Sequence, residues 1–219
     1  VKRAPRLKFD AHKLRSNIAH VYSLATREDI DKGSQWYPLA HNIVREWADT
    51  YGRSIGNVAC VVAALSPQNE WTRNLLQASD ILAGNRPTIG GIETNIRKAQ
   101  AIANDLATDT LAYFPSGYKV RSFACNLAGD SAIVTCDTHA LQIALGSPLA
   151  RVTFRNWSQY AEVANAYQDV AAMMGLEPST LQATTWITWK RIYPPEDKRA
   201  LIHQSKIART QKGARRKGR

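Results

Sequence analysis

Cysteine is scarce: Cys60, Cys125 and Cys136 are the three in 219 residues. They are too few and too scattered for a disulfide framework, so a reducing, intracellular and cytoplasmic setting is expected. Metal-ligand spacing of the kind zinc requires is absent, and no metal is expected. Long apolar runs are missing too. The longest, Val58 to Leu65, falls well short of the ~18 residues that span a bilayer, which argues for a buried helix and against a membrane partner. The charged opening VKRAPRLK adjoins no apolar segment and does not read as a signal peptide. Period-two alternation, the mark of half-buried strands, is not found, nor is any long internal repeat.

Acidic residues are also in short supply. Asp and Glu number 18 against 29 Lys and Arg, a net charge of +11. The excess is uneven: Lys206 to Arg219 holds seven basic residues, among them Lys206, Arg209, Arg215 and Arg216, and no acid. Such a tail is disordered alone and attracted to polyanions. Binding to DNA phosphates irrespective of sequence, strengthening as salt falls, is one reading. A solubility tail, RNA and a membrane surface are the alternatives, because charge alone selects no partner.

What is present in quantity is helical periodicity. Apolar residues recur at three- and four-residue steps from Leu14 to Leu24, Tyr37 to Trp47, Ile96 to Leu106, Val120 to Leu127, Tyr160 to Met174 and Leu181 to Ile192, which makes the chain all-α. Punctuation agrees. Ser54 is placed to cap the helix holding Val58 to Leu65, Gly84 and Gly129 to close helices, and Pro178-Ser179 to open the last one. Gly90-Gly91 followed by Thr94 reads as a turn into a capped helix. Thr26 to Trp36, with its acids and Gly33, reads equally as a loop or a short helix. The length suits one domain or two closely packed lobes. Pro194-Pro195 ends the folded part, giving a domain over 1–195 and a basic tail over 196–219.

The stretch from Pro115 to Leu145, PSGYKVRSFACNLAGDSAIVTCDTHALQIAL, carries the chemistry. It reads as a glycine turn, a short helix stopped at Gly129, a connector, and a helix opened by Asp137. Lys119 and Asp137, eighteen residues apart, thus stand at the entrances of consecutive helices, and the connector can return the second to the rim of the first. An amine attacks an electron-poor carbon once burial has lowered its pKa, and a carboxylate stabilises a positive sugar ring. The plain alternatives are a phosphate-contacting or solvated lysine and an ordinary Asp N-cap. Around Ser116, Gly117 and Tyr118, backbone N–H groups at a helix start offer an anion site.

These motifs resemble the helix-hairpin-helix DNA glycosylase superfamily, the endonuclease III-like group, in which a G-x-G-x-K hairpin is followed at the same spacing by V-D-T-H. The segment ALSPQNEWTRN, Ala64 to Asn74, resembles that family's L-S-x-Q turn, and GGIETNIRKAQAIA its glycine-then-lysine helix opening. The resemblance spans roughly residues 55 to 145. It implies a two-lobed helical bundle with a helix-hairpin-helix motif, acting on double-stranded DNA as a monomer, in host cytoplasm if the source is a bacteriophage. It implies an N-glycosylase with AP-lyase activity in which Lys119 is the Schiff-base nucleophile, Asp137 the catalytic carboxylate and Gln68 the residue that fills the gap left by a flipped base.

Asn69 would join Gln68 at the duplex. Glu70, Trp71 and His139 would line the base pocket, His139 in a supporting role, with turn chemistry and helix packing as their ordinary alternatives. Trp186 and Trp189 read as core, and Lys190 and Arg191 beside them as phosphate contacts. Hairpin carbonyls would hold a monovalent cation. Two departures stand out: Pro115 occupies the place of the first hairpin glycine, and the family's four-cysteine iron-sulfur set is missing, so no cluster is expected. A bacteriophage base-hypermodification transferase of related fold, joining an amine to an activated thymine, and a DNA-binding module without chemistry are the rival readings.

Overall fold

The computed structural model describes residues 9–105, 110–114, 117–150 and 153–194. Among the described residues the chain is all-α: nine helices, one 3-10 turn and no strand. Side-chain caps begin most of the helices. Asp10 accepts from the His12 and Lys13 N–H groups to start α1 (Ala11–Ser23), and Ser54 accepts from Asn57 N–H to start α3 (Ile55–Leu65). Glu70 accepts from Thr72 and Arg73 to start α4 (Trp71–Leu82). The fifth helix, α5 (Glu93–Asn104), begins at Ile92 without a side-chain cap, so the cap expected of Thr94 is not made. The preceding Gly90 carbonyl instead accepts from Gln77 and Arg73 of α4.

The ambiguous stretch Thr26 to Trp36 is the first part of the longest helix, α2 (Arg27–Tyr51). Thr26 and Asp29 form a reciprocal capping box, which satisfies two backbone donors at once and outweighs the weak apolar signal. Gly33 lies within it because a Cβ there would come 2.2 Å from Thr184 Oγ1 and 2.6 Å from the Thr184 Cα. Only glycine lets α2 lie this close to α9 (Pro178–Ile192). Arg191 of α9 donates to Asp29 Oδ2 at 2.7 and 2.9 Å and to the Leu24 carbonyl at 2.8 Å. Its guanidinium ties helix ends together.

Between these run the 3-10 turn Thr110–Tyr113, α6 (Tyr118–Leu127), α7 (Thr138–Ala144) and α8 (Trp157–Met174). The apolar faces assemble into two clusters. One gathers α2 to α6 around α3, whose residues from Asn57 to Leu65 are all buried. The other joins α1, α7, α8 and α9 around Tyr160 and Tyr167. The last helix touches both, giving Ala183 to the first cluster and Leu181 and Trp189 to the second. Its seam with α2 is therefore where the two halves of the core meet. No helix among the described residues is long and apolar enough to cross a membrane.

Candidate active site

Lys119 is the second residue of α6 and Asp137 caps α7. Gly129, at φ +106°, turns the chain out of α6, and buried side chains fix the connector that follows. Asn126 donates to the carbonyls of Asp130 and Ile133 at 2.8 Å each and accepts from Thr135 Oγ1 at 2.6 Å. The Tyr160 hydroxyl accepts from Cys136 N–H at 3.0 Å and donates to the Val134 carbonyl at 3.1 Å. The connector is thus held on both sides, and Asp137 returns to the Lys119 end of α6. Both residues line one cavity of about 810 Å³.

The cavity lies at the seam between the two halves of the core. Trp36, Trp71 and Phe123 form one wall, with ring centroids 5.3 to 6.4 Å apart; Phe154 and Trp186 come from the other side. The Lys119 amine donates to Ser66 Oγ at 3.2 Å and lies 5.6 Å from the Phe123 ring centre. Burial lowers its pKa, and the negative charge of Asp137 offsets part of that fall. A larger share of neutral amine is the result, the form that has a lone pair to give.

Asp137 is gripped at both oxygens. Oδ1 accepts from Ala140 N–H at 2.8 Å and Oδ2 accepts from Trp186 Nε1–H at 3.2 Å. The Lys190 ammonium lies 4.0 Å from the centre of the Trp186 ring, an attraction between cation and π-face. His139 stands edge-on to Trp186 at 6.3 Å and lines the cavity. Asp137 is therefore a helix cap that also lines the cavity. Cys136 beside it is buried, and burial pushes its thiol well up, so it stays protonated and fills space.

The Ser66–Trp71 turn forms one edge. Gln68 is exposed and, at φ +56°, is the one non-glycine residue with positive φ among those described, a conformation that costs a side-chain-bearing residue energy. Asn69 is committed inward, donating to the Leu65 carbonyl at 3.1 Å and to Gln77 Oε1 at 2.7 Å. Glu70 lines the cavity while capping α4; the Arg73 and Thr72 N–H groups, then the Lys190 charge, lower its carboxyl pKa. Trp71 is a wall residue of the cavity.

Other expected contacts divide. Gly117 caps α6 with no side chain of its own, and Tyr118 turns its ring onto Trp157 and Tyr160. Lys190 is exposed at the cavity rim. Trp189 is core, but Trp186, also expected there, lines the cavity and holds Asp137. Ser116, Lys206, Arg209, Arg215 and Arg216 lie outside the described residues. No group of three or more His, Cys, Asp or Glu able to hold a metal occurs among the described residues.

Tyr37, Asn74 and Gln182 are among the lining residues that escaped the sequence reading. Tyr37 donates to Gln182 Oε1 at 2.9 Å, and burial raises its pKa so far that the hydroxyl remains a donor. Asn74 is buried beside the cavity with Oδ1 unpartnered. The available signal was polarity on an otherwise apolar helix face, as Gln182 next to Leu181 shows; such groups are buried only at a cost unless something pairs with them.

A family model described as a family of unknown function (DUF7178) matches residues 4–192, and the chain belongs to that family. No curated protein and no solved structure matches.

Proposed function

We propose that the chain is a DNA N-glycosylase with AP-lyase activity, of helix-hairpin-helix type. The observation that carries the reading is the pairing of a half-buried amine of lowered pKa, Lys119, with the carboxylate of Asp137 in one aromatic-walled cavity. Gln68 would be the residue that replaces a flipped base in the stack.

In this mechanism the ionised Asp137 stabilises positive charge on the sugar as the C1′–N bond breaks, and the bonding pair leaves with the base, which takes up a proton. The neutral Lys119 amine gives its lone pair to C1′. Loss of one amine proton to water or to a carboxylate frees the nitrogen lone pair to open the C1′–O4′ bond; the bonding pair goes to O4′, which takes up a proton, and a protonated imine is left. Removal of a C2′ proton then expels the 3′ phosphate and nicks the strand. The aromatic walls suit a flat heterocycle.

A second reading is favoured by size. At about 810 Å³ the cavity lies toward the upper end of the ~300–1,000 Å³ usual for small-molecule sites, more than one unmodified base fills. A transferase that joins an amine to an activated base in bacteriophage DNA would use that room. Borohydride trapping on abasic duplex decides: a covalent protein–DNA adduct is expected from the lyase. Its absence together with amine incorporation into modified DNA would establish the transferase, and absence of both would leave a binding module.

A further inference from the structure

Trp157, the first residue of α8, has 56% of its surface exposed. The other five tryptophans are all described, and each is buried or half-buried. An exposed indole is unusual in a chain that buries its aromatics elsewhere, and its supporting side is well built. Tyr160 lies nearly parallel to it, at 18° and 5.6 Å between centroids, and Tyr118 packs at 5.3 Å. The Tyr160 hydroxyl is tied to the Cys136 N–H and the Val134 carbonyl, so the platform is anchored to the connector that places Asp137. Phe154 packs on Tyr160 at 5.1 Å and lines the cavity. A continuous run of rings thus leads from the surface to the cavity wall, passing the residue before Lys119.

Charge beside this platform is positive. Arg155 is exposed two residues before Trp157, and Arg121 is exposed three residues after Tyr118, on the same side of α6. An aromatic face flanked by cations suits a base attached to phosphates, because every base has a π-face and every nucleotide a negative charge.

We propose that Trp157 is a stacking platform for an unpaired DNA base, the neighbour, in the same strand, of the nucleotide that enters the cavity. The placement rests on the DNA reading of that cavity. Stacking would hold the distorted strand while the extruded nucleotide lies against Lys119 and Asp137, and Arg155 and Arg121 would meet its phosphates.

The test uses the full chain with two probes: a short single-stranded oligodeoxythymidine and a strand of equal length built of stable abasic sites. Trp157→Ala should weaken binding to oligodeoxythymidine by roughly tenfold and leave the abasic strand unaffected; Trp157→Phe should restore most of the loss. Wild-type tryptophan emission should be quenched by oligodeoxythymidine, and the quench should largely vanish in Trp157→Phe.

Unchanged affinity for oligodeoxythymidine in Trp157→Ala would overturn the platform. So would an equal loss on the abasic strand, which would make the ring a support for the fold. Loss of self-association with DNA affinity intact would also overturn it, assigning the face to a second copy of the chain. Borohydride trapping reads the cavity separately. A wild-type protein that fails to trap, but whose oligodeoxythymidine affinity falls in Trp157→Ala, would overturn the lyase reading while supporting the platform.

Discussion

Replacing Lys119 by glutamine separates its two roles quantitatively. As a nucleophile, its loss should remove borohydride trapping and strand nicking by at least ~10³-fold, since removal of a covalent catalyst leaves only binding and electrostatics. As a phosphate contact, its loss should reduce the slope of log affinity against log salt by about 0.9 for duplex DNA. The amine is partly buried, bonded to Ser66 Oγ and set over the Phe123 ring, so the slope should not change.

The pH dependence has a definite sign. The amine attacks only when neutral, so trapping should rise with pH and level off at the folded pKa. Burial puts that pKa below the 10.5 of an ordinary lysine. Between the two values the unfolded chain binds more protons than the folded one. This group's stability contribution is therefore full above 10.5 and lost as pH falls through the folded value. Lys119→Met, which removes the charge and keeps the stem, should therefore unfold no more easily than wild type at neutral pH. The assays are gel quantification of trapped adduct, salt titration by fluorescence anisotropy and thermal melts across pH. Nicking at the wild-type rate by Lys119→Gln, with the salt slope reduced by about 0.9, would refute the reasoning.

Asp137→Asn should suppress base release by more than tenfold while melting within about 1 kcal/mol of wild type, because asparagine still caps α7; equal suppression by loss of fold would show in the melt. Gln68→Gly should stabilise the fold by up to ~1 kcal/mol, relieving the positive φ at that turn, yet lose more activity on paired duplex than on single strand. Equal losses on both substrates would return Gln68 to turn formation. Gly33→Ala should cost ~3 kcal/mol, since the new methyl meets the Thr184 backbone as well as its side chain. At ~2–4 °C per kcal/mol for a chain of this size, calorimetry should show Tm lower by ~6–12 °C, and an unchanged Tm would mean that α2 and α9 separate freely.

The sequence by itself determined the helices and much of their punctuation, because these depend on neighbours within a turn or two. Apolar spacing marks Val120 to Leu127, the Ser54 hydroxyl reaches its own helix start, and Gly129 supplies the positive φ that ends α6. It also set Lys119 and Asp137 one short helix and a connector apart. Tertiary packing decided the rest. Thr26 to Trp36 became helix through a capping box, and Gly33 is explained only by Thr184, 151 positions away in the chain. Trp186 and Trp189, three residues apart, went to the cavity and the core, while Arg191 was taken by Asp29. The cavity itself arises where two apolar clusters meet along α2 and α9. No local propensity specifies that meeting, since burial is a property of which faces find each other across the whole chain.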